Sequence, residues 1–184
     1  EELGKISVSG GTENDRFVFY TSLYRCLERP VNISEEGRYF CVYDNRIHED
    51  GGYAYYTDDW IWDSYRAAHP LRILTDRKKH TDIIRSFLRM SEFSSDHWFP
   101  NFPEVTGDSR RMNCNHGVSV IADAWYKGVR DFDLQKAYTY TKAAIEEKTL
   151  APWSSAKAGW IDRFYKEKGY IPSLASGEQE TVPE

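Results

Sequence analysis

The chain has 184 residues and a mass of 21.5 kDa, which suits one domain large enough to bury a hydrophobic core. Its net charge of −5 and the lack of any basic run argue against nucleic acid as a partner. No apolar run approaches the roughly 20 residues that span a bilayer, so no membrane span is predicted. Aromatic residues make up 15% of the chain, and this excess suits either a bulky core or a carbohydrate site.

The chain is predicted to begin with a loop and a first helix. Residues 1–15 are polar and contain glycines, so we expect a loop in which Asp15 caps the helix that follows. Apolar residues at helical spacing predict that helix over 17–27. Pro30 ends it, because proline restricts the residue before it and cannot continue the hydrogen-bond ladder.

Short strands are predicted next. β-prone residues over 37–43 and 53–57 favour a small hairpin or a pair of short strands. A second helix is predicted to begin near Asp58 or Asp59 and to kink or end at Pro70.

The remaining predicted elements are helices. Residues 81–93 show the clearest amphipathic pattern, and further helices are predicted over 118–129, 133–148 and 159–168. Asp133 is the expected cap of its helix. About six helices joined by loops of alternating length are typical of the paired helices of an α/α toroid.

The stretch from Tyr55 to Pro70 has the most unusual composition. It contains three tyrosines, two tryptophans, three aspartates, an arginine and a histidine. Aromatic faces beside carboxylates and a guanidinium suit a sugar, because rings stack on its C–H faces and charged groups bond its hydroxyls. The alternative is an aromatic core helix with a salt bridge.

Residues 94–115 are predicted to form a long loop, a length that is uncommon in a compact domain unless the loop has a function. Between Trp98 and His116, carboxylates alternate with arginines and asparagines, and prolines fix the backbone. The loop either places polar groups at a pocket floor or is a salt-bridged surface loop. His116 is either a partner of a substrate hydroxyl or simply a residue at a helix N-terminus.

Carboxylate pairs are a further route to chemistry. Glycoside hydrolysis needs two carboxyl groups, roughly 5–5.5 Å apart for retention or 6.5–9.5 Å apart for inversion. Asp63 and Arg66 lie three residues apart on one helical face, so they also fit a purely structural pair. The candidate carboxylates are Asp58, Asp59, Asp63, Glu104 and Asp108.

No known zinc, phosphate-loop or dinucleotide motif is present, and no metal ligand is predicted in the chain. The odd number of cysteines excludes a fully paired disulfide framework, and small buried thiols are expected. His69 is expected to bond only backbone. Surface or loop positions are expected for the other histidines, which are His48, His80 and His97, and His80 closes a basic patch expected to be a solvated helix start.

In order and spacing, these segments resemble glycoside hydrolase family 92, the calcium-dependent exo-α-mannosidases. The central block is Trp62-Asp63-Ser64-Tyr65-Arg66-Ala67, followed by His69-Pro70-Leu71. The other matching segments are Phe19 to Tyr24, Gly37-Arg38-Tyr39, Tyr56-Thr57, Trp98-Phe99-Pro100, Gly107-Asp108 through His116, Asp123 to Gly128, Asp131-Phe132-Asp133, Ala137-Tyr138 and Gly169-Tyr170-Ile171-Pro172.

The resemblance implies a mainly α fold, part of an (α/α)6 toroid with a small β-hairpin insertion. Residues 1–184 match only part of that catalytic domain, so the N-terminal β-sandwich and the second half of the toroid are expected to be absent from the chain. A partial toroid leaves helix faces unpaired, so the partners expected are the remainder of the same protein or a partner chain.

The implied activity is that of an inverting exo-α-mannosidase, an α-1,2-mannosidase that trims mannosides of N-glycans and is secreted or periplasmic. The substrate is then a mannose-containing oligosaccharide. The resemblance places the catalytic acid and base beyond Glu184 and most calcium ligands outside this chain, so the isolated chain is predicted to be inactive. The substrate-binding residues it implies, in the −1 region, are Trp62, Asp63, Arg66, Asp108, Arg110, Arg111, Asn113 and His116.

Two other functions fit the sequence. One is a non-catalytic helical fragment that binds sugar or serves as a scaffold. The other is a different (α/α)6 inverting glycosidase of the glucosidase or trehalase type.

Overall fold

A computed structural model describes residues 2–110, 115–147 and 167–170. A 3₁₀ turn, Glu2–Lys5, precedes six α-helices: α1 Glu13–Leu27, α2 Ile61–Ser64, α3 Ala68–Thr75, α4 Arg77–Phe93, α5 His116–Tyr126 and α6 Leu134–Glu146. The strands are β1 Val31–Asn32, β2 Arg38–Cys41, β3 Arg46–Glu49, β4 Tyr56–Thr57, β5 Pro103–Glu104 and β6 Gly107–Asp108. No helix among the described residues is long and apolar enough to cross a membrane.

The strands form three antiparallel pairs rather than one sheet. β2 lies inside the strand predicted over 37–43, but it forms its hairpin with β3, a strand that was not predicted, and Cys41 lies opposite Arg46. β1 pairs with β4, so the strand predicted over 53–57 belongs to a separate pair. β5 and β6 form a hairpin inside the region predicted to be one long loop.

α4 is the centre of the fold and packs against α3, β4 and α6. Ile83, Ile84 and Phe87 on its apolar face are fully buried, as the amphipathic pattern predicts. α4 begins earlier than predicted because the Asp76 carboxylate accepts from the Lys79 amide at 2.9 Å and caps the helix.

Two predicted helix boundaries in the first half are wrong. α1 is capped by Thr12, whose hydroxyl accepts from the Asp15 amide, while the Asp15 carboxylate bonds back to Thr12 in a capping box. Pro70 ends no helix but lies in the first turn of α3, where the N–H that proline lacks would have no intrahelical partner. The predicted helix over 159–168 lies mostly outside the described residues.

Several large apolar side chains on the helices are exposed, among them Phe17 (71%), Leu74 (81%) and Tyr126 (89%). Cys41 is buried and Cys26 is half-buried, and both are free thiols. Cys114 lies outside the described residues.

Candidate functional site

The turn that leads into α2 is fixed by two distant parts of the chain. Asp58 has a left-handed backbone (φ 62°) instead of starting a helix as predicted, and its carboxylate accepts from the Val105 amide at 3.1 Å. The same carboxylate lies 3.5 Å from the guanidinium of Arg29. The amide of Asp59 donates to the Pro103 carbonyl at 3.0 Å. The β5–β6 hairpin therefore determines where α2 begins.

A buried chain of polar side chains lies beneath this turn. Asp59 Oδ2 is 2.8 Å from Nε2 of His69, and Nδ1 of His69 is 3.3 Å from Nε2 of His80. Each of the three side chains is at most 1% exposed. The predictions that His80 lies at the surface and that His69 bonds only backbone are therefore wrong, since both histidines continue a buried network from the Asp59 carboxylate.

The buried network shifts the pKa values of Asp59 and His80 and so sets their charge. Burial acts to raise the pKa of the Asp59 carboxyl, but the neighbouring His69 ring and the Arg72 guanidinium outweigh it and lower that pKa. Burial, together with the positive field of His69 and Arg72, lowers the pKa of His80 to about 3. Asp59 is therefore ionised and His80 neutral near pH 7.

Three predicted site residues lie at the surface, two of them on α2 and one, Arg66, just after it. Trp62 is 47% exposed, and Asp63 and Arg66 are exposed. Among the residues that the structure describes, no ion pair involves Asp63, so the predicted alternative of a structural Asp63–Arg66 pair is wrong. The stretch from Tyr55 to Pro70 contributes residues to both the core and the surface. Tyr55, Tyr56 and Ile61 are buried, whereas the two tryptophans of the stretch are exposed.

Arg66 joins α2 to the start of α5 through two aromatic rings. Its Nε–H donates to the hydroxyl of Tyr65 at 2.7 Å, and the Tyr65 ring packs against the ring of His116 with centroids 4.1 Å apart. Burial lowers the pKa of His116, and the charge of Arg66 lowers it further. His116 is the first residue of α5, so it is both a helix N-terminal residue and a member of the α2 cluster.

The side chains of Asp108 and Arg110 stabilise the loop region in which they lie. The Asp108 carboxylate accepts from the amides of Asn101 (3.0 Å), Phe102 (2.9 Å) and Arg110 (3.2 Å). The Arg110 guanidinium pairs with Asp96 and lies 4.8 Å from the ring centre of Trp98. The hydrogen bonds from the amides of Asn101 and Phe102 to Asp108 bring the two ends of the β5–β6 hairpin together.

The structure places the predicted site residues in two groups. Trp62, Asp63, Arg66 and His116 lie around α2 and the start of α5, while Asp108 and Arg110 lie in the β5–β6 loop. Arg111 and Asn113 are outside the described residues. Arg110 and Asn115 are the described residues on either side of that segment. They are five positions apart in the sequence, so their Cα atoms lie at most about 18 Å from each other.

An open depression of about 240 Å³ lies beside α2. Its lining includes Arg25, Arg29, Trp60 and Asp63, together with the buried Arg72. The guanidinium of Arg29 stacks on Trp60 at 4.1 Å from the ring centre. Sequence reasoning missed the two arginines on and after α1. The one available signal was that the chain reverses at Pro30, directly after Arg29, and such a turn brings α1 back towards later elements.

A larger depression of about 450 Å³ lies between α4 and the start of α6 and contains no predicted site residue. Four of its charged groups form two ion pairs, since Arg85 lies 2.8 Å from Asp131 and Lys136 lies 2.7 Å from Glu92. The α2 surface, where no described residue forms an ion pair with the Asp63 carboxylate, is the better candidate for a ligand.

Comparison with known proteins identifies the family. The model of the glycosyl hydrolase family 92 catalytic domain matches residues 1–183. The chain belongs to glycosyl hydrolase family 92. No curated protein matches the chain.

Three solved family 92 structures support this membership. The α-mannosidase BT3965 of Bacteroides thetaiotaomicron is 28% identical, with a TM-score of 0.77 over 93% of this chain and 22% of its own. Its complex with mannoimidazole gives a TM-score of 0.76 at 28% identity over 93% and 21% of the two chains. The inverting mannosidase BT2199 of the same species, strain VPI-5482, gives 0.78 at 28% identity over 93% and 23%. The chain thus spans about a fifth of the length of these relatives.

These comparisons confirm the predicted fold class. The chain is mainly α with small antiparallel strand pairs, and the catalytic domain of its family 92 relatives is an (α/α)6 toroid. The family match does not favour a glucosidase or trehalase of another family, nor a non-catalytic fragment.

Proposed function

We propose that the protein to which this chain belongs is an inverting exo-α-mannosidase, and that the chain supplies part of its −1 sugar site. The observation that carries the proposal is the surface of α2 and the residues just after it, where an exposed tryptophan, an aspartate with no ion pair to any described residue and an exposed arginine lie within five residues. The relatives named above support the sugar, because two are α-mannosidase structures, one of them with mannoimidazole, and a third is an inverting mannosidase.

The three side chains suit complementary parts of a mannose unit. The indole of Trp62 offers a flat face to the C–H groups of the sugar and excludes water. The carboxylate of Asp63 accepts hydrogen bonds from two adjacent hydroxyls, and such charge-assisted bonds are the stronger kind. Arg66 donates its Nε–H to Tyr65, which favours one orientation of the guanidinium, and no described residue bonds its terminal nitrogens, which can donate to a ligand.

Few of the candidate carboxylates are left for acid–base work. Asp58, Asp59 and Asp108 are engaged in the contacts that build the turn, the buried network and the loop. We therefore infer that the catalytic acid and base lie elsewhere in the protein, that the isolated chain does not hydrolyse mannosides, and that the remainder of the protein or a partner chain covers the exposed apolar helix faces.

Calcium does not fit the residues that the structure describes. Ca²⁺ takes six to eight oxygen ligands. Among residues 2–110, 115–147 and 167–170, one cluster of three or more metal-binding side chains occurs, and it contains a single carboxylate. Any calcium requirement of the enzyme would thus depend on ligands from outside the described residues.

The finer parts of the proposal follow from the family resemblance. We propose α-1,2-linked mannosides of N-glycans as substrates and a secreted or periplasmic location. Hydrolysis of a panel of linkage isomers by the whole protein tests the first, and fractionation of the source cells tests the second.

The site is tested in the whole protein with α-1,2-mannobiose as substrate. Asp63→Asn and Arg66→Gln should each lower kcat/KM by roughly 10–150-fold, since a hydrogen bond to a charged group contributes about 1.5–3 kcal/mol. Glu36→Gln is the matched control, because it also removes a carboxylate and its side chain is 86% exposed away from α2.

Two results would separate the activity from the site. If wild type released glucose from α-glucosides, insensitive to chelator, and left α-mannosides intact, the proposed activity would be wrong. If mannosidase activity were present but Asp63→Asn matched Glu36→Gln within twofold, the assignment of the sugar site to α2 would be wrong.

A further inference from the structure

The β2–β3 hairpin brings together three metal-binding side chains that belong to none of the groups described above. Cys41 ends β2, Asp44 lies in the turn and His48 lies in β3. One ligand atom of each lies within 4.8 Å of the other two, and Nε2 of His48 is 2.8 Å from Oδ2 of Asp44. It is the one such cluster of three found in the part of the chain that the structure describes.

The packing of the hairpin holds these groups in place. The ring of His48 is stacked on Tyr39 and on Phe93, with centroids 5.6 Å and 4.2 Å away. Cys41 is fully buried. Asn45 has a left-handed backbone (φ 57°), which reverses the chain so that β3 returns beside β2. The three groups therefore need little ordering before they bind an ion.

A buried oxygen in the cluster has no partner. Oδ1 of Asp44 is inaccessible to solvent, and no described residue donates a hydrogen bond to it. A buried carboxylate oxygen without a donor is costly. A bound cation would remove that cost, and this observation is independent of the spacing of the three residues.

We propose that Cys41, Asp44 and His48 bind a divalent transition-metal ion, with zinc the best match, and leave a fourth position for water. Zinc takes Cys sulfur at about 2.3 Å, His nitrogen at about 2.0–2.1 Å and carboxylate oxygen at about 2.0–2.2 Å in tetrahedral geometry. Those bond lengths place the ligand atoms roughly 3.4–3.6 Å apart. The His48–Asp44 distance must therefore open by about half an ångström, which replaces their hydrogen bond with two metal bonds.

The ligand types favour zinc over harder cations. A thiolate and an imidazole suit zinc, whereas calcium and magnesium prefer sets of oxygens. The search for zinc motifs missed the group because it contains one cysteine and one histidine with an aspartate between them, not a paired-Cys or paired-His spacing.

Binding must displace a proton from the thiol. Burial raises the pKa of Cys41, and the backbone amides of Tyr43 and Asp44 act in the opposite direction. The sulfur binds zinc as thiolate, so the thiol proton leaves when the ion binds.

The test uses the whole protein, stripped of transition metals and kept in calcium so that any calcium site stays filled. Calorimetric titration with Zn²⁺ should give one site per chain that is lost in Cys41→Ser. Co²⁺ is the second probe, because thiolate bound to Co²⁺ gives a near-ultraviolet charge-transfer band. That band should disappear in Cys41→Ser and persist in the control Cys26→Ser, which removes the other thiol that the structure describes.

Asp44→Asn and His48→Gln extend the test to the other ligands and avoid the buried cysteine. Each should weaken Zn²⁺ binding at least as much as the roughly 10–100-fold that results from changing a ligand's hydrogen-bond partner. Circular dichroism checks that each variant is folded. The proposal is wrong if wild type binds no Zn²⁺, if the Co²⁺ band survives Cys41→Ser, or if both Asp44→Asn and His48→Gln bind Zn²⁺ within threefold of wild type.

Discussion

His80 links the stability of the fold to pH through its burial. The pKa of its ring is about 3 in the folded protein and 6.5 in the absence of the fold. Between these values the unfolded chain binds one more proton than the folded protein at this site. The free energy of unfolding therefore rises with pH, and the contribution of His80 is complete above pH 6.5 and is lost as pH falls from 6.5 towards 3.

The size of the effect follows from the two pKa values. One proton contributes about 1.36 kcal/mol per pH unit once the unfolded histidine is fully charged. From pH 6.5 to pH 4.5 the loss is about 2 kcal/mol, because the unfolded histidine is already half protonated at the start of that range. The lowered pKa of Asp59 acts in the same direction but only at lower pH, where carboxylates take up protons.

Urea unfolding at pH 4.5, 5.5, 6.5 and 7.5 measures this contribution. His80→Gln should unfold at lower urea than wild type at pH 7.5, and the gap should shrink by about 2 kcal/mol by pH 4.5 because glutamine does not titrate. His97→Gln is the control, since it makes the same change at an exposed position outside the buried network. Parallel curves for His80→Gln would refute the reasoning.

A direct measurement covers the case in which His80→Gln does not fold. The ring signals of His80, followed by NMR in wild type, should show no titration above pH 4.5. A midpoint near pH 6 would contradict the buried, neutral ring.

Two further substitutions test the packing around the site, both by urea unfolding. Gly117→Ala should cost about 1–3 kcal/mol despite the better helix propensity of alanine, since its Cβ would lie 2.3 Å from the buried Phe99 ring. Gly4→Ala meets no atom within 4 Å and should stay within about 0.5 kcal/mol of wild type. Asp108→Ala should cost about 3 kcal/mol, because three loop amides lose their acceptor, whereas Asp108→Asn keeps one oxygen and should cost less. A loss below 1 kcal/mol for Asp108→Ala would contradict its role.

The sequence predicts well those elements that depend on local patterns. The apolar face of α4 appears where periodicity places it, and Asp133 caps α6 by accepting from the Lys136 amide at 2.9 Å. β2 also lies within the β-prone residues 37–43. Each of these features depends on interactions between residues within one or two turns of each other.

The sequence predicts poorly what depends on distant contacts. A helix is predicted to begin near Asp58, but a hydrogen bond from the Val105 amide, 47 residues later, holds Asp58 in a left-handed conformation. His80 follows three basic residues and looks solvent-exposed, yet it lies on the inner face of α4 beside His69. Helical spacing from Ile83, Ile84 and Phe87 does place position 80 on the buried face, but no local pattern reveals that His69 and Val105 are the partners.

The candidate site shows the same division. The exposure of Trp62, Asp63 and Arg66 agrees with their predicted role in sugar binding, which stays a prediction until ligand binding is measured. The Tyr65–His116 contact and the arginines beside Trp60 required the three-dimensional arrangement of α1, α2 and α5.

α2 has only four residues, and a helix this short would not persist by itself in water. Its shape is imposed by Asp58 and Asp59 before it and by the buried His69 after it. The conformational entropy of α2 is therefore lost when the protein folds and not when a ligand arrives. When a sugar binds Trp62 and Asp63, only the side chains of these residues lose conformational freedom, because the backbone of α2 is already ordered. Less of the binding free energy is then offset by lost entropy, and the affinity is higher.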